Sequence, residues 1–284
     1  MPSITLRADC KVNLSLRITG VLPNGYHTLD SVMLPLPEPY DLLHIAPGAE
    51  PGLMLACSSP AIDLRDNTLT RAYRLYVEAS SFAPPLAITL EKGIPSGAGL
   101  GGGSSDAAAL LRYLNDMAPQ ALDAATLSSV ATRVGADVPF FLKACPCRAQ
   151  GIGDVLEPYM PGLTGFWLVL VCPEVQVATP WAYAAWDRLH PLSSPCDLTR
   201  QSSDAKSLNS SFYCLNDLEK AVFPAYPELA RIKCDFFRQG AAAAVMSGSG
   251  ASLLGLFRDQ QTASNAVAFF QAVGMRTYWH ELTC

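Results

Sequence analysis

The stretch PSGAGLGGGSS, residues 95–105, decides how this chain is interpreted. It follows an alternating segment, Leu86 to Leu90, that predicts a β-strand, and an alanine- and leucine-rich segment that predicts a helix comes after it. Five of the 20 glycines of the chain fall between Gly97 and Gly103. A strand, a glycine-rich turn and a helix in succession gather backbone N–H groups at the positive end of the helix dipole. The stretch therefore predicts a phosphate-binding loop.

Familiar motifs of other enzyme classes do not fit this loop. The spacing G-x-G-x-x-G from Gly97 to Gly102 matches a dinucleotide fingerprint, but Asp123, about 20 residues further on, lies in a segment that predicts a helix. No Gly-Lys-Ser/Thr follows, which excludes a Walker A loop. Neither Ser96 nor Ser247 has glycine two residues before and two residues after it, which disfavours a serine hydrolase.

Composition excludes several classes of protein. The 284 residues suffice for about two domains of roughly 150 residues each. With 20 basic and 25 acidic residues the net charge is −5, so the chain lacks the basic surplus of a nucleic-acid binder. Only 16% of the residues are charged and 50% are hydrophobic, which favours a compact fold over disorder.

The amino-terminal residues, the lack of long apolar runs and the cysteine pattern predict a cytoplasmic location. The first residues show no signal peptide, and no apolar run approaches the roughly 20 residues of a membrane helix. The nine cysteines form no C-x-x-C pair, and no histidine neighbours Cys145 or Cys147. We therefore expect reduced thiols, no zinc site, and no membrane partner.

Local patterns predict the elements of the N-terminal half. Residues 12–18 alternate apolar and polar side chains, which predicts a half-buried strand. The pair Asn24–Gly25 predicts a type I′ turn, in which both central residues have positive φ. Helices are expected at residues 67–79, at about 106–115 with Ser104 or Ser105 as the cap, and near 126–134 before Gly135.

The C-terminal half predicts a ferredoxin-like unit, because strand, helices, strand, strand, helix and strand follow one another. The predicted segments are residues 166–172, 181–189, 227–238, 242–246, 252–257, a helix from the cap Asp259 to Val273, and 275–282. Residues 193–211, rich in serine and aspartate, predict a mobile loop. Proline and glycine cluster at residues 158–165, so we expect domains at 1–160 and 161–284.

Three polar side chains are candidates for chemistry. Lys11 and Asn13 lie two residues apart on the polar face of the first strand, about 6.7 Å from one another along the chain. A surface salt bridge is the alternative interpretation of Lys11. Asp137 follows a helix end and precedes an apolar segment, so it is either functional or the cap of a helix that begins at Val138.

For three further sets of candidate residues, the sequence also leaves two interpretations. Ser247–Gly250 is either a tight hairpin turn or a second backbone cradle that faces the first. Tyr26 and His27, at the exit of the predicted hairpin, are either edges of the core or partners of a base. Trp181 and Tyr183 are more typical of the core side of an amphipathic helix than of a ligand cage.

Taken together, these segments resemble the GHMP kinase superfamily over nearly the whole chain. The segments that carry the resemblance are Lys11–Leu14, Asn24–His27, residues 95–105 with the following Asp-Ala-Ala, Gly135–Phe141, Gly151–Asp154 and Met246–Ala251. Within the superfamily, Asn24–His27 is similar to the kinases of a cytidylated methylerythritol, and unlike homoserine, mevalonate or galactose kinases.

The resemblance implies a fold and a reaction. The fold would be α+β, with an N-terminal domain like domain 2 of ribosomal protein S5, a ferredoxin-like C-terminal domain, and an active site in the interdomain cleft. ATP, with Mg²⁺, would phosphorylate the 2-hydroxyl of 4-diphosphocytidyl-2-C-methyl-D-erythritol in the non-mevalonate isoprenoid pathway. We expect a monomer or weak homodimer, and no residue is assigned to the metal.

The resemblance also implies roles for individual residues. Asp137 would be the catalytic base and Lys11 its electrostatic partner. The loop that would bind ATP comprises Pro95, Ser96, Gly97, Ala98, Gly99, Leu100, Gly101, Gly102, Gly103, Ser104 and Ser105. The residues that would bind the substrate are Asn13, Tyr26, His27, Tyr183, Gly248 and Ser249, with Tyr183 on the other face of the cytosine from Tyr26 and His27.

Three alternative functions remain at this point. Another small-molecule kinase of the superfamily would share the ATP loop but give no reason for Asn24–His27. A catalytically inactive nucleotide-binding module would be expected to lack Lys11 or Asp137, and both are present. A dinucleotide oxidoreductase depends only on the weak fingerprint from Gly97 to Gly102.

Overall fold

The computed structural model describes residues 3–60, 62–190 and 214–283, so the loop predicted at 193–211 lies outside the described residues. The strands are β1 (Ile4–Val21), β2 (His27–Pro47), β3 (Leu53–Cys57), β4 (Leu86–Glu91), β5 (Cys147–Gln150), β6 (Val155–Pro158), β7 (Trp167–Cys172), β8 (Leu215–Asn216), β9 (Ala243–Met246), β10 (Leu253–Phe257) and β11 (Arg276–Glu281). The helices are α1 (Thr68–Ser80), α2 (Gly102–Met117), α3 (Ala124–Val134), α4 (Val138–Lys143), α5 (Thr179–Leu189), α6 (Glu219–Val222), α7 (Pro227–Arg238) and α8 (Gln260–Ala272).

The chain divides into two compact units, and each consists of segments that are not contiguous in sequence. The first unit contains residues 1–11, 35–96 and 101–145, and the second contains 12–34, 97–100 and 146–284. The boundary predicted between residues 160 and 161 does not coincide with this division, because the long strands β1 and β2 each run through both units.

The first unit contains β3, β4, parts of β1 and β2, and the helices α1 to α4. β3 pairs with β4 in parallel, and β4 pairs with the end of β2 in antiparallel fashion. Helix α1 begins where the sequence predicts, because the Asn67 side chain accepts hydrogen bonds from the backbone of Leu69 and Thr70. Large side chains such as Tyr76 and Phe140 are fully buried in this unit.

In the second unit, the predicted ferredoxin-like arrangement is confirmed. The four strands lie in the order β11-β7-β10-β9, and every neighbouring pair is antiparallel. Its core includes Phe236, Phe257 and Phe270. Gly255 lies against the ring of Phe236, where a Cβ would collide with the ring atoms.

The turn between β1 and β2 differs from the predicted type I′ turn. Gly25 donates a backbone hydrogen bond to Leu22 and has φ +84°, whereas Asn24 does not have positive φ. Pro23 fixes its own φ near −65°, so this position suits the first central residue of a type I turn. The result is a type I turn followed by a left-handed glycine.

Two further expectations about local structure were wrong. Helix α2 begins at Gly102 with Gly101 at the cap position, so neither Ser104 nor Ser105 is the cap. The polar face of β1 is buried together with the apolar face around Lys11, Asn13 and Ser15. Hydrogen bonds within the protein, such as Ser31 Oγ to Ser15 O at 2.6 Å, take the place of solvent on this face.

The described residues contain neither a disulfide nor a membrane-spanning helix. Among residues 3–60, 62–190 and 214–283, the seven cysteines are thiols that form no disulfide with one another. Burial raises the pKa of the Cys172 thiol to about 11, which keeps it protonated near neutral pH. No helix of the described part of the chain is long and apolar enough to cross a membrane.

A buried cluster of charges in the first unit links β2, β4 and α2. The Lys92 ammonium contacts the carboxylates of Asp41 and Asp106, and all three side chains are buried. Asp41 Oδ1 also accepts backbone hydrogen bonds of 2.8 Å from Gly93 and Ile94, which lead into the glycine loop. One ammonium thus serves two carboxylates, and Asp106 Oδ1 has no hydrogen-bond partner among the described residues.

This shared ammonium leaves Asp106 in an unfavourable environment for a charge. Burial raises the pKa of Asp106 to about 7, although the nearby Lys92 lowers it and Asp41 raises it further. The folded protein therefore holds a proton on this carboxyl that the unfolded chain releases at lower pH.

The variant Asp106→Asn tests this assignment. Because the pKa is higher in the folded state, the stability of the native protein falls as pH rises from about 4 to about 7. We therefore expect the difference in the free energy of unfolding, Asp106→Asn minus native, to increase by about 1 kcal/mol or more as pH rises through this window, and then to level off. Urea unfolding at several pH values measures the difference. The control Asp116→Asn removes an exposed carboxylate of the same helix, and its difference from native should not change with pH. If the difference for Asp106→Asn is also independent of pH, the assignment is contradicted.

Candidate active site

Lys11 and Asp137 meet in the first unit. Lys11 Nζ lies 3.5 Å from Asp137 Oδ2, and the side chains are 5% and 36% exposed. Lys11 is therefore not part of a surface salt bridge. Asp137 occupies the cap position of α4, which begins at Val138 as the helix-cap interpretation expects, but its side chain makes no capping hydrogen bond.

The turn between α3 and α4 presents the Asp137 carboxylate. Helix α3 ends where Gly135 N donates to Ala131 O at 3.1 Å, and Val138 N then donates to Gly135 O at 3.1 Å. Pro139 lies in the first turn of α4, where its missing N–H costs no hydrogen bond. The carboxylate stays partly exposed and can reach a ligand.

The N-terminus of α2 lies beside Lys11. Gly101 has φ +73°, and a Cβ there would lie 2.8 Å from the Phe141 ring and 3.1 Å from Lys11 Cγ. No side chain caps this end, and the first backbone hydrogen bond of the helix runs from Ser105 N to Gly101 O at 2.9 Å. The N–H groups of the first turn lack intrahelical acceptors, so this end of a 16-residue helix suits an anion.

In the second unit, the first half of the glycine loop packs against the turn between β9 and β10. Ala251 N donates to Gly97 O at 3.2 Å, and Ser252 N donates to Ala98 O at 3.1 Å. Gly99 has φ +74°, and a Cβ there would collide with the Ser247 carbonyl oxygen. The two glycine-rich motifs, far apart in sequence, are thus in direct contact.

Ser247–Gly250 is a hairpin loop and also a partner of the first glycine motif. Ser247 N donates to Ser252 O at 2.9 Å, which closes the hairpin. Ser247 Oγ donates to Gly99 O at 2.9 Å. Ser249 Oγ lies 2.8 Å from Thr179 Oγ1, which joins this loop to the start of α5. The hairpin interpretation is therefore confirmed, whereas the second interpretation, a backbone cradle that faces the first, stays a prediction.

Asn13 is buried in the second unit within a polar network. Its Nδ2 donates to Ser31 Oγ at 2.7 Å, and its backbone N donates to Ser247 Oγ at 3.1 Å. A Cβ at Gly248 would lie 3.3 Å from Asn13 Oδ1. Asn216 Nδ2 donates to the Gly248 carbonyl at 2.6 Å. The predicted residues Asn13, Gly248 and Ser249 therefore belong to one hydrogen-bonded neighbourhood.

His27 packs against α5, whereas the side chain of Tyr26 is exposed. The rings of His27 and Tyr183 have centroids 4.7 Å apart with an interplanar angle of 33°. His27 Nε2 lies 2.7 Å from Asp187 Oδ1. To hold a base between them, two rings must have centroids about twice the usual stacking distance apart, so a cytosine does not fit between His27 and Tyr183 in this arrangement. Tyr26 is 61% exposed.

The sequence analysis missed several polar residues of these neighbourhoods. Ser31 and Asn216 are buried donors and acceptors, and Asp187 is the partner of His27. No short-range pattern marks them, because their partners lie far away in the chain.

No group of three or more His, Cys, Asp or Glu side chains that could hold a metal ion occurs in the part of the chain that the structure describes. Mg²⁺ in nucleotide sites usually takes one or two protein oxygens together with phosphates and water.

Segments in both halves of the chain match known protein families. Residues 67–144 match the family described as GHMP kinases N terminal domain, and residues 200–274 match GHMP kinases C terminal. Among solved structures, a 4-(cytidine 5'-diphospho)-2C-methyl-D-erythritol kinase is similar with a TM-score of 0.75 and 32% identity, covering 97% of this chain and 98% of that chain. A homoserine kinase from Cytophaga hutchinsonii shares the fold, with a TM-score of 0.69, 18% identity, and coverage of 99% of this chain and 94% of that chain.

Curated relatives are similar over the full length. A protein of Nitratidesulfovibrio vulgaris named 4-diphosphocytidyl-2-C-methyl-D-erythritol kinase is 47% identical and covers 99% of both chains. A protein of Lawsonia intracellularis with the same name is 43% identical and covers 97% of this chain and 95% of its own. The chain therefore belongs to the GHMP kinase family, in the branch that contains these 4-diphosphocytidyl-2-C-methyl-D-erythritol kinases.

Proposed function

We propose that this protein transfers the γ-phosphoryl group of ATP to the 2-hydroxyl of 4-diphosphocytidyl-2-C-methyl-D-erythritol, a step of the non-mevalonate isoprenoid pathway. The observation that carries this proposal is the Lys11–Asp137 pair beside the uncapped N-terminus of α2. A buried ammonium, a partly exposed carboxylate and free backbone donors are the groups that phosphoryl transfer to an alcohol requires. The names of the full-length relatives support the choice of substrate.

The glycine loop, residues 95–105, would bind ATP mainly through its backbone. Gly97, Gly99 and Gly101 have positive φ, and neighbouring atoms crowd the space that a Cβ would need at Gly99 and Gly101. Glycine at these positions leaves backbone N–H groups accessible to phosphate oxygens. Lys11, whose stem lies against Gly101, would add a positive charge on the same side.

In the proposed reaction, Asp137 accepts the proton of the 2-hydroxyl while the hydroxyl oxygen attacks the γ-phosphorus of ATP. The bond between the γ-phosphorus and the bridging oxygen breaks, and ADP leaves with the bonding electrons. Lys11 stabilises the negative charge of the transferring phosphoryl group and orients the Asp137 carboxylate at 3.5 Å. The proton resides on Asp137 until the product departs.

We infer that Mg²⁺ accompanies the nucleotide and neutralises phosphate charge when it is bound. Its protein contacts would be few, since the described residues contain no cluster of three potential ligand side chains. Ser104 and Ser105 lie in the first turns of α2, next to the proposed phosphate site along the chain, and would offer hydroxyl oxygens there.

For the cytidylated substrate, we propose contacts from two neighbourhoods of the second unit. One consists of Asn13, Gly248 and Ser249, which share a hydrogen-bonded network. The other consists of His27 and Tyr183, with the exposed Tyr26 next to His27 in the chain. The base would lie on an outer face of the His27–Tyr183 pair. The free thiols suit a cytoplasmic location, and we expect a monomer or weak homodimer.

An activity assay tests the proposed function directly. Purified protein with ATP and Mg²⁺ should release ADP when the cytidylated methylerythritol is added. Homoserine, mevalonate and galactose, added singly as controls, should give little ADP. Stimulation by one of these alcohols but not by the cytidylated compound would refute the assigned substrate.

The variant Asp137→Asn tests the proposed base. The amide cannot accept the hydroxyl proton, so kcat should fall at least about a hundredfold while ATP binding persists. Steady-state kinetics and nucleotide titration measure the two effects. Glu78→Gln removes an exposed carboxylate of the same unit and serves as the control. Near-normal turnover of Asp137→Asn would show that another group takes the proton.

The variant Tyr183→Ala tests the substrate side. Loss of the ring that packs on His27 should raise the KM for the cytidylated substrate several-fold and leave the KM for ATP unchanged. Initial rates with each substrate varied in turn measure both constants. Equal increases in the two KM values would instead indicate a general loss of structure.

A further inference from the structure

We propose that Asn216, in β8, is a positioning residue for the substrate: its side-chain amide fixes the turn Ser247–Gly250 so that the backbone N–H of Ser249 donates a hydrogen bond to an oxygen of the substrate diphosphate. This inference rests on the proposed function, since it assumes that Gly248 and Ser249 belong to the substrate site. It adds a buried residue that acts through the turn and does not itself touch the substrate.

The side-chain amide of Asn216 has a fixed orientation. The residue is 6% exposed, and its Nδ2 donates hydrogen bonds to the carbonyl oxygens of Met246 at 2.8 Å and Gly248 at 2.6 Å. Its Oδ1 accepts a hydrogen bond of 2.9 Å from Leu218 N. Exchange of the amide oxygen and nitrogen would place an acceptor against two carbonyl oxygens, so only one orientation satisfies all partners. Asn216 therefore holds the turn from one defined side.

Asn216 and Glu219 together hold the start of this turn. Met246 is the last residue of β9, which lies at one edge of the four-stranded sheet. Glu219 Oε1 accepts a hydrogen bond of 2.9 Å from Met246 N, and Asn216 Nδ2 donates to the carbonyl oxygen of the same residue. Side chains thus take the place of a further strand at this edge. The segment from Asn216 to Glu219 fixes both backbone groups of Met246.

The bond to Gly248 also determines where the Ser249 N–H points. The peptide between Gly248 and Ser249 is planar and trans, so its carbonyl oxygen and its N–H point in opposite directions. Because Asn216 binds the carbonyl oxygen, the N–H faces away from the Asn216 side chain. In the described part of the chain nothing accepts a hydrogen bond from Gly248 N or Ser249 N, although both residues are buried. A buried N–H without an acceptor costs free energy, and a ligand that supplies an acceptor removes this cost.

The surroundings of Ser249 suit a phosphate oxygen. Turns whose backbone N–H groups have no acceptor within the protein are common anion sites. Ser249 Oγ and Thr179 Oγ1, 2.8 Å apart, add hydroxyl groups close to this N–H. The carboxylate of Glu219, which binds the start of the turn, is itself paired with Lys233 Nζ at 2.5 Å. Among the groups of the proposed substrate, the charged diphosphate is the strongest hydrogen-bond acceptor.

The binding test compares two probes that share the base. Cytidine 5'-diphosphate (CDP) carries the diphosphate, and cytidine does not. With the nucleotide loop occupied by a non-hydrolysable ATP analogue, Asn216→Ala should raise the Kd for CDP about tenfold and leave the Kd for cytidine unchanged. Calorimetric titration measures both constants. Asp217→Asn is the matched control, because its amide oxygen can still accept the 2.9 Å hydrogen bond from Ile18 N, and it should bind CDP like the native protein.

A titration with ATP separates positioning of one N–H from general support of the turn. Ser247 Oγ donates to Gly99 O, so the same turn also holds the glycine loop that would bind ATP. A collapse of the turn in Asn216→Ala would weaken the binding of CDP and of ATP alike. A changed direction of the Ser249 N–H alone would weaken the binding of CDP and leave the Kd for ATP unchanged, which is the result we expect.

The spectroscopic test uses the native protein and does not depend on any variant. In ¹H–¹⁵N spectra, CDP should move the Ser249 amide proton to lower field, because this proton gains a hydrogen bond to a phosphate oxygen, whereas cytidine should not. No turnover of the cytidylated methylerythritol would refute the proposed function, and the response of the Ser249 amide to CDP would still decide this inference. An unmoved Ser249 amide, native-like CDP binding by Asn216→Ala, or equal losses of CDP and ATP affinity would overturn it.

Discussion

The need to neutralise a buried ammonium organises the chemical centre of the first unit. Lys11 lies within β1 with only 5% of its side chain exposed, and a charge so far removed from water is stable only beside an anion. Asp137 supplies that anion, and the stem of Lys11 fills the space next to Gly101. One side chain thus fixes three segments that are far apart in sequence. The carboxylate and the helix N-terminus are in place before any ligand binds, which is the condition for electrostatic preorganisation.

A protein with a net charge of −5 can bind polyanions only through local donors. Here the donors are backbone groups, and glycine is required where the chain approaches other backbone closely. The Ser247 carbonyl leaves no room for a Cβ at Gly99, and the Phe141 ring leaves none at Gly101. The buried cluster around Lys92 then secures the residues that lead into the loop, because Asp41 binds the backbone of Gly93 and Ile94.

Features with local causes could be predicted from the sequence. Asn67 and Asp259 cap helices through their side chains, so α1 and α8 begin where expected. The ferredoxin-like order follows from the periodicity of its segments. Asp137 was identified from its motif, and the structure brings it to Lys11.

Features that depend on distant partners could not be predicted. The pair of His27 and Asp187 joins residues that are 160 positions apart. The turn at Asn24 differs from the type that Asn-Gly favours because Pro23 occupies its first central position. Strands β5, β6 and β8, with four, four and two residues, are too short to show a period.

The path of β1 also constrains the order in which the molecule can be completed during synthesis. Ser15 and Leu16 of β1 pair with Leu215 and Asn216 of β8. A segment near the start of the chain therefore pairs with one that is synthesised when translation is about three-quarters complete. Such distant pairing forms late and slows folding. One edge of β1, at Ser15 and Leu16, therefore stays without its partner strand until about three-quarters of the chain has been translated, although the other edge lies beside β2.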